Sequence, residues 1–192
     1  MSEQPQVIIL AGPNGAGKST AAPQLLVDEL GVTEFVNADI IARGLSGFSP
    51  ELVAIRAGRI LLERIHELAG QRSSFAFETT LASRSFVPFI SHLKAEGYTF
   101  RLHFLWLPSP EMALHRVAER SRSGGHSVPE TTVRRRYISG IANFFRLYMP
   151  LADRWSLFDN SGDAGPRLIA SGTLQAGTTI TDSAKWSEIQ GS

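Results

Sequence analysis

The chain has no cysteine, which excludes disulfides and metal sites built on thiolates. Lysine is nearly absent as well: Lys18, Lys94 and Lys185 are the only three, so most positive chemistry falls to arginine. Charge of either sign is not in excess. Lysine and arginine together number 19 against 18 acidic residues, a balance that gives no global pull toward nucleic acid or a membrane surface. No apolar run approaches the length of a transmembrane helix. The start, Met1-Ser2-Glu3-Gln4-Pro5-Gln6, lacks the basic segment and long apolar core of a signal peptide. A cytoplasmic protein with no membrane partner is therefore expected. Internal repeats and low-complexity linkers are also lacking. What remains is 192 residues, 43% hydrophobic and 19% charged, a composition that suits one domain over 1–192 with a sizeable core.

The residues that are present centre on one stretch. The run Val7-Ile8-Ile9-Leu10-Ala11 reads as a buried parallel strand. Gly12, Pro13, Asn14, Gly15, Ala16, Gly17, Lys18, Ser19 and Thr20 follow it, and a helix-compatible segment from Ser19 to Leu30 ends at Gly31. Strand, Gly-x-x-x-x-Gly-Lys-Ser, helix is a P-loop in its confirming context. Glycines let backbone N–H groups close around the β- and γ-phosphates of a nucleoside triphosphate, with the helix N-terminus adding its dipole. Lys18 carries an ammonium to the same oxygens, and the Ser19 hydroxyl suits a Mg²⁺ ligand. ATP and Mg²⁺ are the expected cofactors.

Strand and helix patterns alternate through the rest of the chain. Strands are expected at Glu34 to Asp39, Ser74 to Thr80, Thr99 to Leu107 and Arg154 to Asp159. Helices are expected at Ile40 to Leu45, from Ser49-Pro50-Glu51 to Gly70, at Phe86 to Ala95, from Ser109-Pro110-Glu111 toward Arg120, and from the capping box Ser127-Val128-Pro129-Glu130 to about Tyr148. Short β candidates at Arg167 to Ala170 and Thr178 to Thr181 suggest a terminal hairpin at about 166–182. The order predicts an α/β fold of the P-loop NTPase type: three layers α/β/α, a mostly parallel sheet of about five strands, and a helical lid at about 111–136. Ligands of such sheets collect at strand carboxyl ends, where the P-loop, Asp39, Glu78 and Asn160 all fall.

A P-loop does not by itself distinguish a kinase from a switch or a transporter ATPase. The loop also matches ABC-type ATPases, but no strand ending in Asp-Glu follows Ser123-Gly124-Gly125. A kinase needs a base near the acceptor hydroxyl, an acid near the metal, and positive charge on the transferring phosphoryl. Asp39 is the candidate base; a helix N-cap is the plainer role for it. Glu78 is the candidate for holding a Mg²⁺ water or a substrate hydroxyl, and Thr79 and Thr80 offer hydroxyls to the acceptor. Six arginines stand against three glutamates between Glu111 and Arg136. Arg116 and Arg120 share a helix face, Arg122 and His126 flank the Gly-Gly loop, and Arg134, Arg135 and Arg136 follow. Helix, polar loop, helix suits a lid that closes over phosphates, with Arg116 and Arg120 as catalytic cations and Arg136 and His126 as substrate contacts.

Gly12 to Thr20, Phe35-Val36-Asn37-Ala38-Asp39, Phe75 to Thr80, Gly124 to Pro129, Arg134-Arg135-Arg136-Tyr137 and Asp159-Asn160-Ser161 together resemble the zeta-toxin-type P-loop kinases. More narrowly they resemble the short stand-alone branch often described as ABC-type ATPases. The resemblance spans the chain to about Ser161. It implies an ATP/Mg²⁺-dependent kinase whose acceptor is a hydroxyl of a small metabolite, UDP-N-acetylglucosamine in the toxins themselves. It further implies Asp39 as base, Lys18 and Ser19 as the P-loop pair, Glu78 and Thr80 as substrate contacts, a lid arginine such as Arg116 or Arg120 as phosphate clamp, and an antitoxin protein as partner. Two departures stand out: Glu78-Thr79-Thr80 replaces the usual Glu-Gly-Thr, and Gly124-Gly125-His126 replaces an arginine-bearing lid segment. A 5′-hydroxyl polynucleotide kinase and a nucleotide-dependent ATPase or switch are the competing functions; the near-neutral charge weighs against nucleic acid.

Overall fold

A computed structural model describes residues 4–28, 31–122 and 128–191. Strand β1 (Gln6–Ala11) is central and wholly apolar after its first residue, as a strand covered on both faces must be. It pairs in parallel with β3 (Phe75–Thr79) on one side and β4 (Thr99–Trp106) on the other. A short β2 (Phe35–Val36) flanks β3, and β5 (Arg154–Asp159) flanks β4, again in parallel. Both neighbours follow β1 in the chain, and the connection from β3 to β4 crosses from one side of it to the other, which makes the carboxyl end of β1 a topological switch point.

The sheet has seven strands where about five were expected. The C-terminal segment forms the antiparallel pair β6 (Arg167–Thr173) and β7 (Gly177–Ile180), and β6 joins β5 to extend the same sheet. A helix not anticipated from sequence, α7 (Ser183–Gln190), follows it, with the Asp182 carboxylate accepting from Lys185 N.

One face of the sheet is rich in aromatic residues. Phe77 meets Phe86 of α4 (Phe86–Ala95), while Phe104 and Trp155 meet Phe144, in the wider turn Phe144–Tyr148 that continues α6 (Glu130–Asn143). The helix after the P-loop is also divided. It is α-helical as α1 (Lys18–Ala22) and changes to a wider π turn at Pro23–Asp28, where proline cannot donate the bond an α-helix would need. Leu30, the expected helix end, lies outside the described residues.

Three boundaries depart from the sequence reading in ways that bear on the site. β2 stops at Val36, so Asp39 does not end a strand; it sits in the first turn of α2 (Ala38–Leu45). The residue capping that helix is Asn37, whose side-chain Oδ1 accepts from Asp39 N at 2.7 Å and Ile40 N at 3.1 Å. A 3₁₀ turn, Pro50–Val53, precedes α3 (Ala54–Gly70), and the Ser49 side chain makes no cap bond. In α5 (Pro110–Arg122), by contrast, the Ser109 hydroxyl does accept from Met112 N. The proposed cap Ser127 lies outside the described residues.

Candidate active site

The P-loop leaves β1 with Gly12 at φ 140°, pressed so closely on β4 that a Cβ there would stand 2.3 Å from the Leu105 carbonyl oxygen. Gly17, at φ 77°, is crowded by the Asn160 side chain in the same way. Only glycine suits either position. Lys18 is buried and donates to the Gly12 and Pro13 carbonyls at 3.0 and 2.9 Å, folded back over its own loop, with Glu78 Oε1 3.5 Å away. Ala16 packs in the core, Gly15 and Asn14 line the open side, and Thr20 is exposed.

Glu78 comes from β3, beside β1, one residue short of the strand end. Its Oε2 accepts from the Ser19 hydroxyl at 2.7 Å and from Asn37 Nδ2 at 2.6 Å; the same amide reaches Ser19 Oγ at 3.1 Å. Asn37 is buried, so one residue caps α2 with its oxygen and fixes the Ser19–Glu78 pair with its nitrogen. Sequence reasoning missed it as a site residue, although an asparagine just ahead of a helix was the available signal. A hydroxyl and a carboxylate 2.7 Å apart offer hard oxygen ligands, the donor type Mg²⁺ takes while keeping several waters.

These groups open on a cavity of about 190 Å³ lined also by Asp39, Thr79, Thr80, Arg120 and Arg136. Arg120 Nη1 is 3.7 Å from Asp39 Oδ2. The Arg120 Nε and Nη2 atoms are buried and have no partner. Buried donors without acceptors are costly, and an anion such as a phosphate supplies what they lack. Arg136 makes a long contact to Asn14 Oδ1 at 3.5 Å. Burial pulls its guanidinium below the ordinary arginine value and adjacent Arg135 pulls the same way, while Asp39 opposes them. Thr79 lines the cavity, but its Oγ1 also accepts from Leu81 N at 3.2 Å.

Arg116 does not join this cavity, contrary to expectation. Its guanidinium donates to the carbonyls of Asn160 and Ser161 at 2.6 and 2.8 Å, where those acceptors outcompete an open cleft. Asn160 in turn donates to the Ala16 carbonyl at 2.7 Å, so Arg116 braces the loop beyond β5 against the P-loop. Arg134 is likewise spent elsewhere, in ion pairs with Glu111 and Glu130. His126 lies outside the described residues. Among those described, no group of three or more acidic or histidine side chains is arranged to hold a metal by itself.

The family model for an AAA domain matches residues 7–137, from β1 through the P-loop and α5 into α6. The chain belongs to this family. An uncharacterized protein of Haemophilus influenzae is 31% identical over 134 residues, 70% of this chain and 94% of that one. Among solved structures, AvrRxo1-ORF1:-ORF2 with ATP superposes with a TM-score of 0.78 at 18% identity, covering 98% of this chain and 64% of that one, so this chain spans under two thirds of its length. The PezAT chromosomal toxin–antitoxin system of Streptococcus pneumoniae gives 0.70 at 16% identity, covering 98% and 78%. At these identities the likeness is one of fold, and that fold is the P-loop NTPase type with a mostly parallel sheet. No helix among the described residues is long and apolar enough to cross a membrane.

Proposed function

We propose that the protein is an ATP- and Mg²⁺-dependent kinase that transfers the γ-phosphoryl group to a hydroxyl of a small metabolite, with a nucleotide sugar as the leading acceptor class. The observation that carries this reading is the pairing of Arg120 Nη1 with the Asp39 carboxylate at 3.7 Å, in a cavity that both line with Lys18 and Glu78. A carboxylate and an arginine opposite the P-loop supply the base and the cation that transfer to an alcohol uses.

In this reading the acceptor hydroxyl lies against Asp39. Its oxygen bonds to the γ-phosphorus, the bond to the β–γ bridging oxygen breaks, the proton passes to the Asp39 carboxylate, and ADP departs. Lys18 exchanges its two loop carbonyls for the β- and γ-oxygens. Arg120 and Arg136 neutralise charge on the transferring group. Ser19 and Glu78, held by Asn37, would hold Mg²⁺, which would supply neutralisation of phosphate charge. Arg116 and Asn160 keep the P-loop in shape.

Fold likeness to a toxin–antitoxin system supports a protein partner as part of the same proposal. Transfer from labelled ATP into a pool of nucleotide sugars, nucleosides and oligonucleotides tests the reading, with Asp39→Asn beside the natural protein. A labelled small molecule whose yield falls on the order of 10²–10⁴-fold in Asp39→Asn is expected. Equal release of free phosphate by both proteins, with no labelled acceptor, would sink it.

A further inference from the structure

Beyond Thr79 and Thr80 the cavity of the candidate active site continues into a second recess of about 310 Å³. The two share Thr79, Thr80 and Arg136; the recess adds Ala82, Ser83, Arg135 and Ser139. No acidic residue lines it. Arg135 and Arg136 adjoin in sequence and both face it, and neither has a carboxylate within ion-pair distance among the described residues, whereas neighbouring Arg134 has two. The remaining polar groups are four hydroxyls. Two guanidiniums among hydroxyls, with no carboxylate lining the recess, make a receptor for an oxyanion on a polyol.

The floor of this recess is built rather than incidental. Leu81 is buried and holds φ 55°, a left-handed conformation costly for a leucine. Three contacts fix it there. Its N–H donates to Thr79 Oγ1 at 3.2 Å, its carbonyl accepts from Asn143 Nδ2 at 2.7 Å, and two residues on, the Ser83 carbonyl accepts from Tyr148 Oη at 2.8 Å. Asn143 and Tyr148 come from α6 and its continuation, the element that carries Arg135 and Ser139. Gly140, one residue after Ser139, brings α6 so close that a Cβ would stand 2.4 Å from the Thr80 carbonyl oxygen. Both walls of the recess are thereby locked before any ligand arrives, and preorganised donors lose little on binding. Burial first and adjacent Arg135 second lower Arg136 while Asp39 opposes them, and a bound phosphate would offset both lowering effects.

We propose that this recess is the anion subsite of the acceptor, so that the phosphorylated hydroxyl belongs to a small polyol already carrying a phosphate, and that Arg135 sets this specificity. The proposal rests on the kinase reading for its geometry, since the recess joins the cavity through Thr79, Thr80 and Arg136 rather than through the P-loop. Thr80 would contact the sugar-like middle of the acceptor, with Asp39 at the reacting hydroxyl and Arg135 at the far phosphate.

Calorimetry with inorganic phosphate tests it on the full chain saturated with a non-hydrolysable ATP analogue and Mg²⁺, so that the P-loop is already filled. A second anion site is expected. Arg135→Gln should weaken it about 10–100-fold, the range for a charge-assisted hydrogen bond, while affinity for the nucleotide analogue stays unchanged. Arg135 is exposed, so the variant should fold. No phosphate binding to the nucleotide-loaded protein, or binding that Arg135→Gln leaves alone, overturns the proposal. A second arm compares transfer to matched acceptors: a free hexose, its 6-phosphate, its 6-carboxylate and a 5′-hydroxyl oligonucleotide. Preference for the phosphate ester, with the acceptor KM raised in Arg135→Gln and the ATP KM unchanged, supports it. Preference for the free hexose, the carboxylate or the oligonucleotide overturns it. Phosphate binding that Arg135→Gln weakens, with no acceptor phosphorylated, keeps the anion subsite and fails only the kinase reading.

Discussion

Arg116 and Arg120 lie one turn apart on α5 and share a face, yet they meet opposite environments. Arg116 reaches toward β5 and is fully engaged by two carbonyls; Arg120 reaches toward β3 and leaves two buried nitrogens without acceptors. The contrast runs through the whole sheet. On the β5 side, nearly buried Asp159 is saturated by Lys185 at 3.0 Å, Arg167 at 3.1 Å and Ser161 N at 2.9 Å. On the β3 side, Glu78 holds only small neutral donors, with Lys18 standing off at 3.5 Å. Satisfied polar groups hold a scaffold in one arrangement; unsatisfied ones that converge on a cavity await a ligand. The same residue types do both jobs, and position decides which.

The two arginines provide the sharpest way to break this comparison. Arg120→Met should lower phosphoryl transfer on the order of 10²–10³-fold, as loss of a transition-state donor does, with no drop in melting temperature. Arg116→Met should do the reverse. Losing two charge-assisted bonds to carbonyls should cost about 2–3 kcal/mol, a fall of roughly 4–12 °C for a chain of this size, and raise the ATP KM by loosening the P-loop. Transfer kinetics and thermal melts on both variants check this. A stable, inactive Arg116→Met would invert the assignment.

That division could not be read from the sequence. Helical spacing correctly put the two arginines on one face, but what the face meets depends on β3 and β5, remote in the chain. The P-loop was legible because its nine residues are consecutive and its geometry is local: the positive φ values fall on glycines. Asp39 was found for a reason that needed correcting. Strand propensity in Phe35 and Val36 ran the strand reading on to Asp39, whereas Asn37 ends it by capping α2. The carboxylate still reaches the cavity because the first turn of that helix faces it. Asn37 went unnoticed as a site residue since its two bonds to Ser19 and Glu78 join segments 18 and 41 residues away. The C-terminal hairpin was visible as two short β candidates. That it extends the sheet rests on its ladder with β5, and that α7 returns to the sheet is seen in Lys185 meeting Asp159, pairings no local pattern announces.

Lys185 offers a smaller test on the scaffold side. Its ammonium also sits 5.2 Å from the Trp106 ring centroid, so it joins α7 to the ends of β4 and β5 at once. Burial alone would raise Asp159, but hydrogen bonds from Ser161 and Lys185 outweigh it and leave the carboxyl below its ordinary value. A depressed carboxyl gives stability that is complete above its unfolded value and is lost as pH falls through the folded one. Lys185→Met should therefore cost about 1–2 kcal/mol at neutral pH, since Arg167 and Ser161 remain, and the difference from the natural protein should shrink below about pH 4. Melting curves from pH 3 to 7 measure it. A gap of unchanged size at pH 3 would mean that Lys185 acts through packing on Trp106 instead.

His103 marks where the comparison needs a condition. Both its ring nitrogens are buried and unpartnered, as are two of the Arg120 nitrogens, yet it lies along the face of β4 and lines neither part of the candidate site. Its ring packs on Phe158, centroids 6.0 Å apart, two residues from Arg101 and paired across the strands with Ser156. Burial, helped by Arg101, lowers its pKa to about 4. The unfolded chain then takes up a proton near pH 6.5 that the folded chain refuses until about pH 4, so stability falls as pH drops through that window and levels off below it. Between pH 7 and pH 5 the loss should be about 1–2 kcal/mol, and His103→Gln should flatten it without touching transfer activity. A natural protein already flat over this range would show that water or an anion reaches the ring. A slope that disappears in His103→Gln would show an orphaned nitrogen with no ligand to wait for. Lack of a partner marks a site, then, only where the residue also lines a cavity with other chemical groups, as Arg120 does and His103 does not.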